Sequence, residues 1–260
     1  MSAPGARLLA QARIGQKRLA ELPGEVRPAS AEAAYACQEL VVDRLLEHLG
    51  GSLIGYKIAC TNEIAQRQLH VDSPFFGRLL SETTYENGAH LDAGGFFMRV
   101  MEAEFAFRMA SDLPPAGSLR GMEEVAAAVD GVLPGIEIVD SRFDSWTTVG
   151  TPSLIADNAC HAAWVKGALL QHWRKIDLAA QAVRLEINGK LLDTGSGAAV
   201  LGHPLNALHW LANMLNERGT GLKAGDYVTT GVTTDIYMAG PGDHVRADFG
   251  PVGAVELMFD

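Results

Sequence analysis

Apolar residues recur at helical spacing through the first fifty positions. Leu8, Leu9, Ala12 and Leu19 mark one predicted helix, which Pro23-Gly24 breaks. A second is predicted behind Ser30 as N-cap, with Glu32 in its first turn. Its stripe is Cys37, Leu40, Val41, Leu45 and Leu49, and Gly50-Gly51 stop it. The run 53–59 reads as a strand, and Thr61 as the cap of a short helix carrying Ile64, Ala65 and Leu69.

From about residue 90 the texture changes to short strands at 99–109, 131–139, 183–187, 226–231 and within 245–259. Asn188-Gly189 between two apolar triplets predicts a type I′ hairpin. Helices are predicted at 122–129, about 158–171 and 204–218. Pro204 in its first turn and Gly219 past its end punctuate the last. The pattern predicts an α+β chain, a helical part over 1–90 attached to a β-rich body over 91–260, with no linker long enough to separate independent domains.

Composition narrows the function. The 260 residues are 48% apolar and 20% charged, as in a globular chain. No apolar run reaches the ~18 residues of a membrane span, and no cleavable leader is legible, so the cytosol is the expected compartment. A net charge of −10 opposes nucleic acid or an anionic membrane as partner. Arg7, Arg13, Lys17 and Arg18 accordingly read as a solvated helix face. Cys37, Cys60 and Cys160 show no metal-binding or disulfide spacing and read as reduced thiols. The sequence has no H-E-x-x-H, no phosphate-binding glycine loop and no nucleophile elbow.

The most informative stretch is 101–107. Strand alternation puts Met101, Ala103, Phe105 and Phe107 on one face and Glu102, Glu104 and Ala106 on the other. The two glutamates then point the same way, with Cα atoms ~7 Å apart, and repel unless solvated or bridged. Glu137 faces opposite to Ile136 and Ile138 in a second apolar strand. If those strands pair, three carboxylates converge, a hard-oxygen set suited to Mg²⁺ or Mn²⁺ rather than zinc. The same spacing also fits solvent-facing residues of an amphipathic sheet.

Six segments in order carry a resemblance that covers residues 50–259. They are GYKIACTNEIAQRQLHVDSPFFGRLL, MEAEFAF, LPGIEIVDSRF, ADNACHAAWVKG, GHPLNALHWLANML and TTGVTTDIYMAGPGDHVRADFGPVGAVELMF. Together they resemble the 2-keto-4-pentenoate hydratase family, which also contains 4-oxalocrotonate decarboxylases and belongs to the fumarylacetoacetate hydrolase superfamily. The resemblance implies a β-roll or barrel-like sheet body with a helical N-terminal part, assembled as a homo-oligomer. It implies a metal-dependent lyase, hydratase or decarboxylase, acting on a short 2-oxo acid in catabolism of aromatic-derived compounds. Mg²⁺ or Mn²⁺ is then held by Glu102, Glu104 and Glu137, with Lys57 as the catalytic lysine near the substrate. Asp157 and Asn158 of the A-D-N-A segment and Thr233 and Thr234 after the T-T-G run are the implied substrate contacts. Asp157 also reads as a helix cap, and Arg142 as a structural ion-pair partner.

Two departures bear on the reaction. Cys160 and His161 stand where many members have two serines, and Phe75 stands where hydratases often carry an aspartate that assists proton transfer. Hydration needs a group to manage water and protons, whereas decarboxylation of a vinylogous oxo acid needs mainly an electron sink. Hydratase is the leading expectation and decarboxylase the alternative. A third reading is a non-catalytic partner subunit working beside another enzyme of its pathway.

Overall fold

The computed structural model describes residues 2–260. In chain order the elements are α1 (Ser2–Ile14), α2 (Ala31–Leu49), β1 (Leu53–Ala59), α3 (Glu63–Leu69), β2 (Phe75–Leu80), β3 (Thr84–Glu86), β4 (Ala89–Leu91) and β5 (Val100–Met109). There follow α4 (Met122–Ala127), β6 (Val129–Val139), α5 (Thr151–Ala156), β7 (His161–Lys166), β8 (Ala182–Ile187), β9 (Lys190–Ser196) and α6 (Pro204–Glu217). The chain closes with β10 (Tyr227–Val232), β11 (Tyr237–Met238), β12 (His244–Asp248) and β13 (Ala254–Phe259).

One sheet of eight strands runs β2-β1-β10-β5-β6-β7-β3, with β11 also on β5, and curls as a half-barrel. The other runs β4-β13-β12-β8-β9. Strands from the first ninety residues therefore lie in the same sheet as those that follow. The apolar face of β5 packs on the second sheet, where Phe105 meets Phe249 edge-on at 4.9 Å. Behind it, Ala106 joins Leu79, Leu133 and Trp164 in a smaller cluster, so β5 is buried on both faces.

Local chemistry explains most boundaries. Ser30 Oγ accepts from the Ala33 amide at 3.2 Å, and Gly50 caps the far end of α2 with φ 79°. Asn188 (φ 52°) and Gly189 (φ 74°) make the β8–β9 turn, as predicted. α1 ends at Ile14 rather than running on to Leu19, which instead bonds beside Phe143 as a β-bridge. The cap of α3 is Asn62, whose side chain accepts from the Ala65 amide at 2.8 Å, not Thr61. The 245–259 run divides at Asp248 into two antiparallel strands.

The predicted helix at 158–171 is a correction: β7 occupies its middle, and no α-helix forms there. His161 to Val165 are all buried, between β6 and β3. A short apolar run covered on both faces has no alternation to distinguish it from a helix. Among the described residues no helix is long and apolar enough to cross a membrane.

Candidate metal and substrate site

The antiparallel pairing of β5 with β6 sets Glu102 directly opposite Glu137 and Glu104 opposite Gly135. One carboxylate oxygen from each of Glu102, Glu104 and Glu137 lies within 4.8 Å of the others. Glu104 and Glu137 are fully buried, and Glu102 lines a cavity of about 480 Å³. The amphipathic-sheet alternative is thereby excluded, because a solvated face would leave these groups exposed.

Glu104 and Glu137 are each held at one oxygen and free at the other. The Gly231 amide donates to Glu104 Oε2 at 2.8 Å, while Oε1 is buried with no partner. Gly231 achieves this at φ 110°, on the irregular stretch of β10. A Cβ there would stand 1.8 Å from Thr61 Oγ1, so only glycine presents that amide. Glu137 Oε1 receives both Lys57 Nζ, at 3.1 Å, and His161 Nδ1, at 2.9 Å, which leaves Oε2 buried and unpartnered.

Lys57 is 1% exposed and also donates to the Ala159 carbonyl at 3.1 Å. That carbonyl is aimed by an uncommon turn in which Asn158, Ala159 and Cys160 all have positive φ. The turn is pinned by the Asn158 amide group, which accepts from Arg78 N at 2.7 Å and donates to Arg78 O at 3.0 Å. Gly77 admits it, since a Cβ there would meet the Asn158 carbonyl at 2.5 Å.

The electrostatics follow from burial and proximity. Burial, and then the negative charge of Glu137, push the Glu102 carboxyl up to about 7. Burial and the other two acids hold Glu104 well above the usual range. Burial alone would raise Glu137 too, but the Lys57 ammonium and the His161 hydrogen bond outweigh it and hold that carboxyl low. Burial pulls Lys57 down, yet Glu137, Glu102 and Glu104 more than offset this and keep it an ammonium. Burial lowers His161, so a neutral ring donates from Nδ1 and leaves Nε2 bare.

When all three carboxylates are ionised, as a bound cation requires, the one ammonium leaves two negative charges unbalanced. Two of them present buried oxygens that nothing in the protein satisfies. That donor set fits a doubly charged, oxygen-seeking ion.

Glu102 titrates near 7 in the fold against the usual 4.5, so the folded metal-free chain holds a proton that the unfolded chain releases. The stability it contributes is complete below pH 4.5 and is lost as pH rises to about 7. Glu104 acts in the same direction, and Glu137, held low, acts oppositely at lower pH. Thermal unfolding of chelator-treated protein should show its midpoint falling across that window. Excess Mg²⁺ should remove the fall, and a midpoint that rises with pH in the chelated sample would contradict the assignment.

Of the residues singled out in the sequence, the structure brings Lys57, Glu102, Glu104, Glu137, Thr233 and Thr234 together at this cavity. Thr233 Oγ1 donates to the Ala103 carbonyl at 2.7 Å, and Thr234 Oγ1 to the Asp235 carbonyl at 3.1 Å. Asp157 and Asn158 lie apart from its lining. Asp157 sits between the C-terminal end of α5 and a three-residue 3-10 turn that its side chain does not cap, and its Oδ2 instead accepts from Arg142 N at 3.1 Å. The sequence marked His161 only as a departure from the family's serines and left its role open; the structure makes it a polar contact of Glu137. Reading A-A-W-V as strand rather than helix would have put it beside the β6 acid.

Residues 65–258 match the family described as fumarylacetoacetate (FAA) hydrolase C-terminal. The 2-hydroxyhexa-2,4-dienoate hydratase of Comamonas testosteroni is 37% identical over 218 residues, 83% of this chain and 81% of that one. The 2-keto-4-pentenoate hydratase of Paraburkholderia xenovorans is 32% identical over 255 residues, covering 98% and 93% of the two chains. Among solved structures, the 4-oxalocrotonate decarboxylase of Pseudomonas putida G7, complexed with magnesium and adipate, superposes with a TM-score of 0.91 at 28% identity. It covers 100% of this chain and 97% of that one.

Proposed function

The chain belongs to the fumarylacetoacetate hydrolase family, and from that premise we propose that it is a metal-dependent lyase hydrating a short, apolar-tailed 2-hydroxydienoate. The observation that carries the reading is the buried trio Glu102, Glu104 and Glu137, two charges short of neutrality at the wall of a ligand-sized cavity. These residues would hold Mg²⁺ or Mn²⁺, and Lys57 and His161 fix the Glu137 carboxylate that completes the set. When bound, the ion supplies Lewis acidity toward the carboxylate and 2-oxo oxygens of an oxo acid.

The chain's own groups perform the rest. Lys57 keeps its proton at Nζ, a positive hydrogen-bond donor near the negative charge that develops on the substrate. Phe75, Val139, Leu154 and Trp146 line the cavity and accept a hydrocarbon tail. Phe75, where an aspartate was the family expectation, is 4% exposed and offers no proton acceptor. Water activation then falls to another lining carboxylate. We assign it to Asp193, which is half-buried and whose Oδ2 is pinned by the Asp235 amide at 2.8 Å.

The cavity wall also bears on the choice between reactions. Glu63, Asp193 and Asp235 line it, and its peripheral cation Arg67 is already tied to Glu63 at 3.2 Å. A distal carboxylate would meet like charge there. The second reading, decarboxylation of a 2-oxo diacid, draws on Phe75 and on the superposition with the decarboxylase. Loss of dienoate ultraviolet absorbance with Mg²⁺, set beside carbon dioxide release from an oxalocrotonate, tests the two. Hydration of the monoacid should exceed decarboxylation by at least about tenfold in kcat/KM, ~1.4 kcal/mol. Asp193→Asn should lower hydration about 10²-fold, as expected for loss of a general base. The opposite preference would transfer the assignment to the decarboxylase. We propose further that the chain works as a homo-oligomer on a small-molecule substrate.

A further inference from the structure

A second cavity, of about 450 Å³, lies between the C-terminal ends of α1 and α2 and the near end of β7, and shares no lining residue with the first. Its inner wall carries two guanidinium groups, those of Arg13 and Arg142. The Arg142 side chain is 3% exposed, and its Nε and Nη2 are buried with no hydrogen-bond partner, as are Nε and Nη2 of Arg13. Four unpaired donors at one place are unusual, because buried donors are nearly always satisfied.

The neighbouring acids do not satisfy them. Asp140 Oδ1 accepts from the Met98 amide at 2.9 Å, and its Oδ2 is 3.5 Å from Arg142 Nη2. Asp157 Oδ2 accepts from the Arg142 amide, and stands 3.9 Å from Arg142 Nε. These aspartates balance charge without supplying the guanidinium hydrogen bonds. Burial, and then the positive charge of Arg142, lower Arg13 to about 10, a penalty that an anion between the two would relieve. The rest of the wall is mixed: Leu45, Leu91 and Phe96 lie inside and Ile14 and Leu49 are half-exposed at the rim, while His48, Tyr85 and Asp92 are among its polar side chains.

We propose that this cavity is a second ligand site, for a small organic acid whose carboxylate meets Arg13 and Arg142 and whose hydrocarbon body lies against Leu45, Leu91 and Phe96. Arginine forks suit a planar carboxylate with two oxygens, and the volume suits a chain of several carbons. The aspartates make the net charge small, so affinity comes from directed hydrogen bonds and apolar burial together. An inorganic anion satisfies only the first.

Sodium hexanoate is the probe, titrated calorimetrically into Mg²⁺-loaded protein with saturating oxalate present to compete at the metal-bearing cavity. The expected result is saturable one-to-one binding, unchanged by oxalate, with inorganic phosphate and hexanol each binding at least about tenfold more weakly. Arg13→Gln and Leu49→Trp should each weaken hexanoate about tenfold or more. The second variant narrows the mouth without touching the charges, so it decides the matter if the first fails to fold. Absence of saturable binding overturns the proposal, as does binding that oxalate abolishes or that neither variant changes. Crystals showing only water, or a side chain of a second copy, against the two arginines overturn it as well. Dienoate turnover continuing with no hexanoate bound would remove this site and leave the function proposed above intact.

Discussion

Glu104→Gln should leave the fold standing, abolish metal binding and sharply lower turnover. Burial and the two neighbouring acids already favour the neutral form of this carboxyl in the metal-free chain. Glutamine mimics that form, and its side-chain oxygen retains the bond from the Gly231 amide. The metal-free melting midpoint should therefore shift by no more than about 2 °C, equivalent to roughly 0.5–1 kcal/mol. In the parent, Mg²⁺ at a hundred times its dissociation constant stabilises by about 2.7 kcal/mol. For a chain of this length that raises the midpoint by roughly 5–10 °C. The variant should show none of that rise, and kcat/KM should fall by about 10³-fold, ~4 kcal/mol. Calorimetric melts with Mn²⁺ and with a chelator read out the first half. An equal metal-induced rise in parent and variant would put the ion elsewhere.

Lys57→Met acts on the same centre with a different signature. It removes the ammonium that faces Glu137 in an environment closed to solvent, and breaking one side of such a pair costs about 3–5 kcal/mol. The loss should be largest in chelator at pH above 7, where the acids have least opportunity to take up protons, and smaller with Mg²⁺ bound. Turnover should fall by at least about 10²-fold even where the metal still binds, because the proton carried at Nζ is gone. Denaturant melts with and without metal, beside steady-state kinetics, separate the two effects. A variant as stable as the parent in chelator would show that Glu137 finds its compensation elsewhere.

How much of this was legible beforehand depended on whether the signal was local. Capping at Ser30, the stop at Gly50 and the Asn188-Gly189 turn are written in adjacent residues, and the structure reproduces them. The carboxylates were legible because alternation is also local: Met101 to Phe107 fix which side Glu102 and Glu104 share, and pairing with β6 followed. The His161 contact was not, because it depends on β7 being a strand, and the run after Asp157 is apolar on both sides. Asp157 reads as a helix cap in isolation, yet it serves a backbone amide fifteen residues upstream. The three left-handed residues at 158–160 carry no glycine to announce them. They are held by Arg78 and Gly77, a contact between distant parts of the chain.

The provenance of the site's parts has a consequence for how the molecule matures. Glu102, Glu104 and Glu137 meet across one antiparallel pair, β5 with β6, both of which precede β10 in the chain. Their ammonium arrives on β1 and the amide that fixes Glu104 arrives with Gly231, over ninety residues after Glu137. Until that last segment has emerged and docked, the half-made centre is an anionic hole with an incomplete wall. A divalent ion at the three acids would therefore act as a late fastener, joining strands of the half-barrel that lie far apart in the sequence.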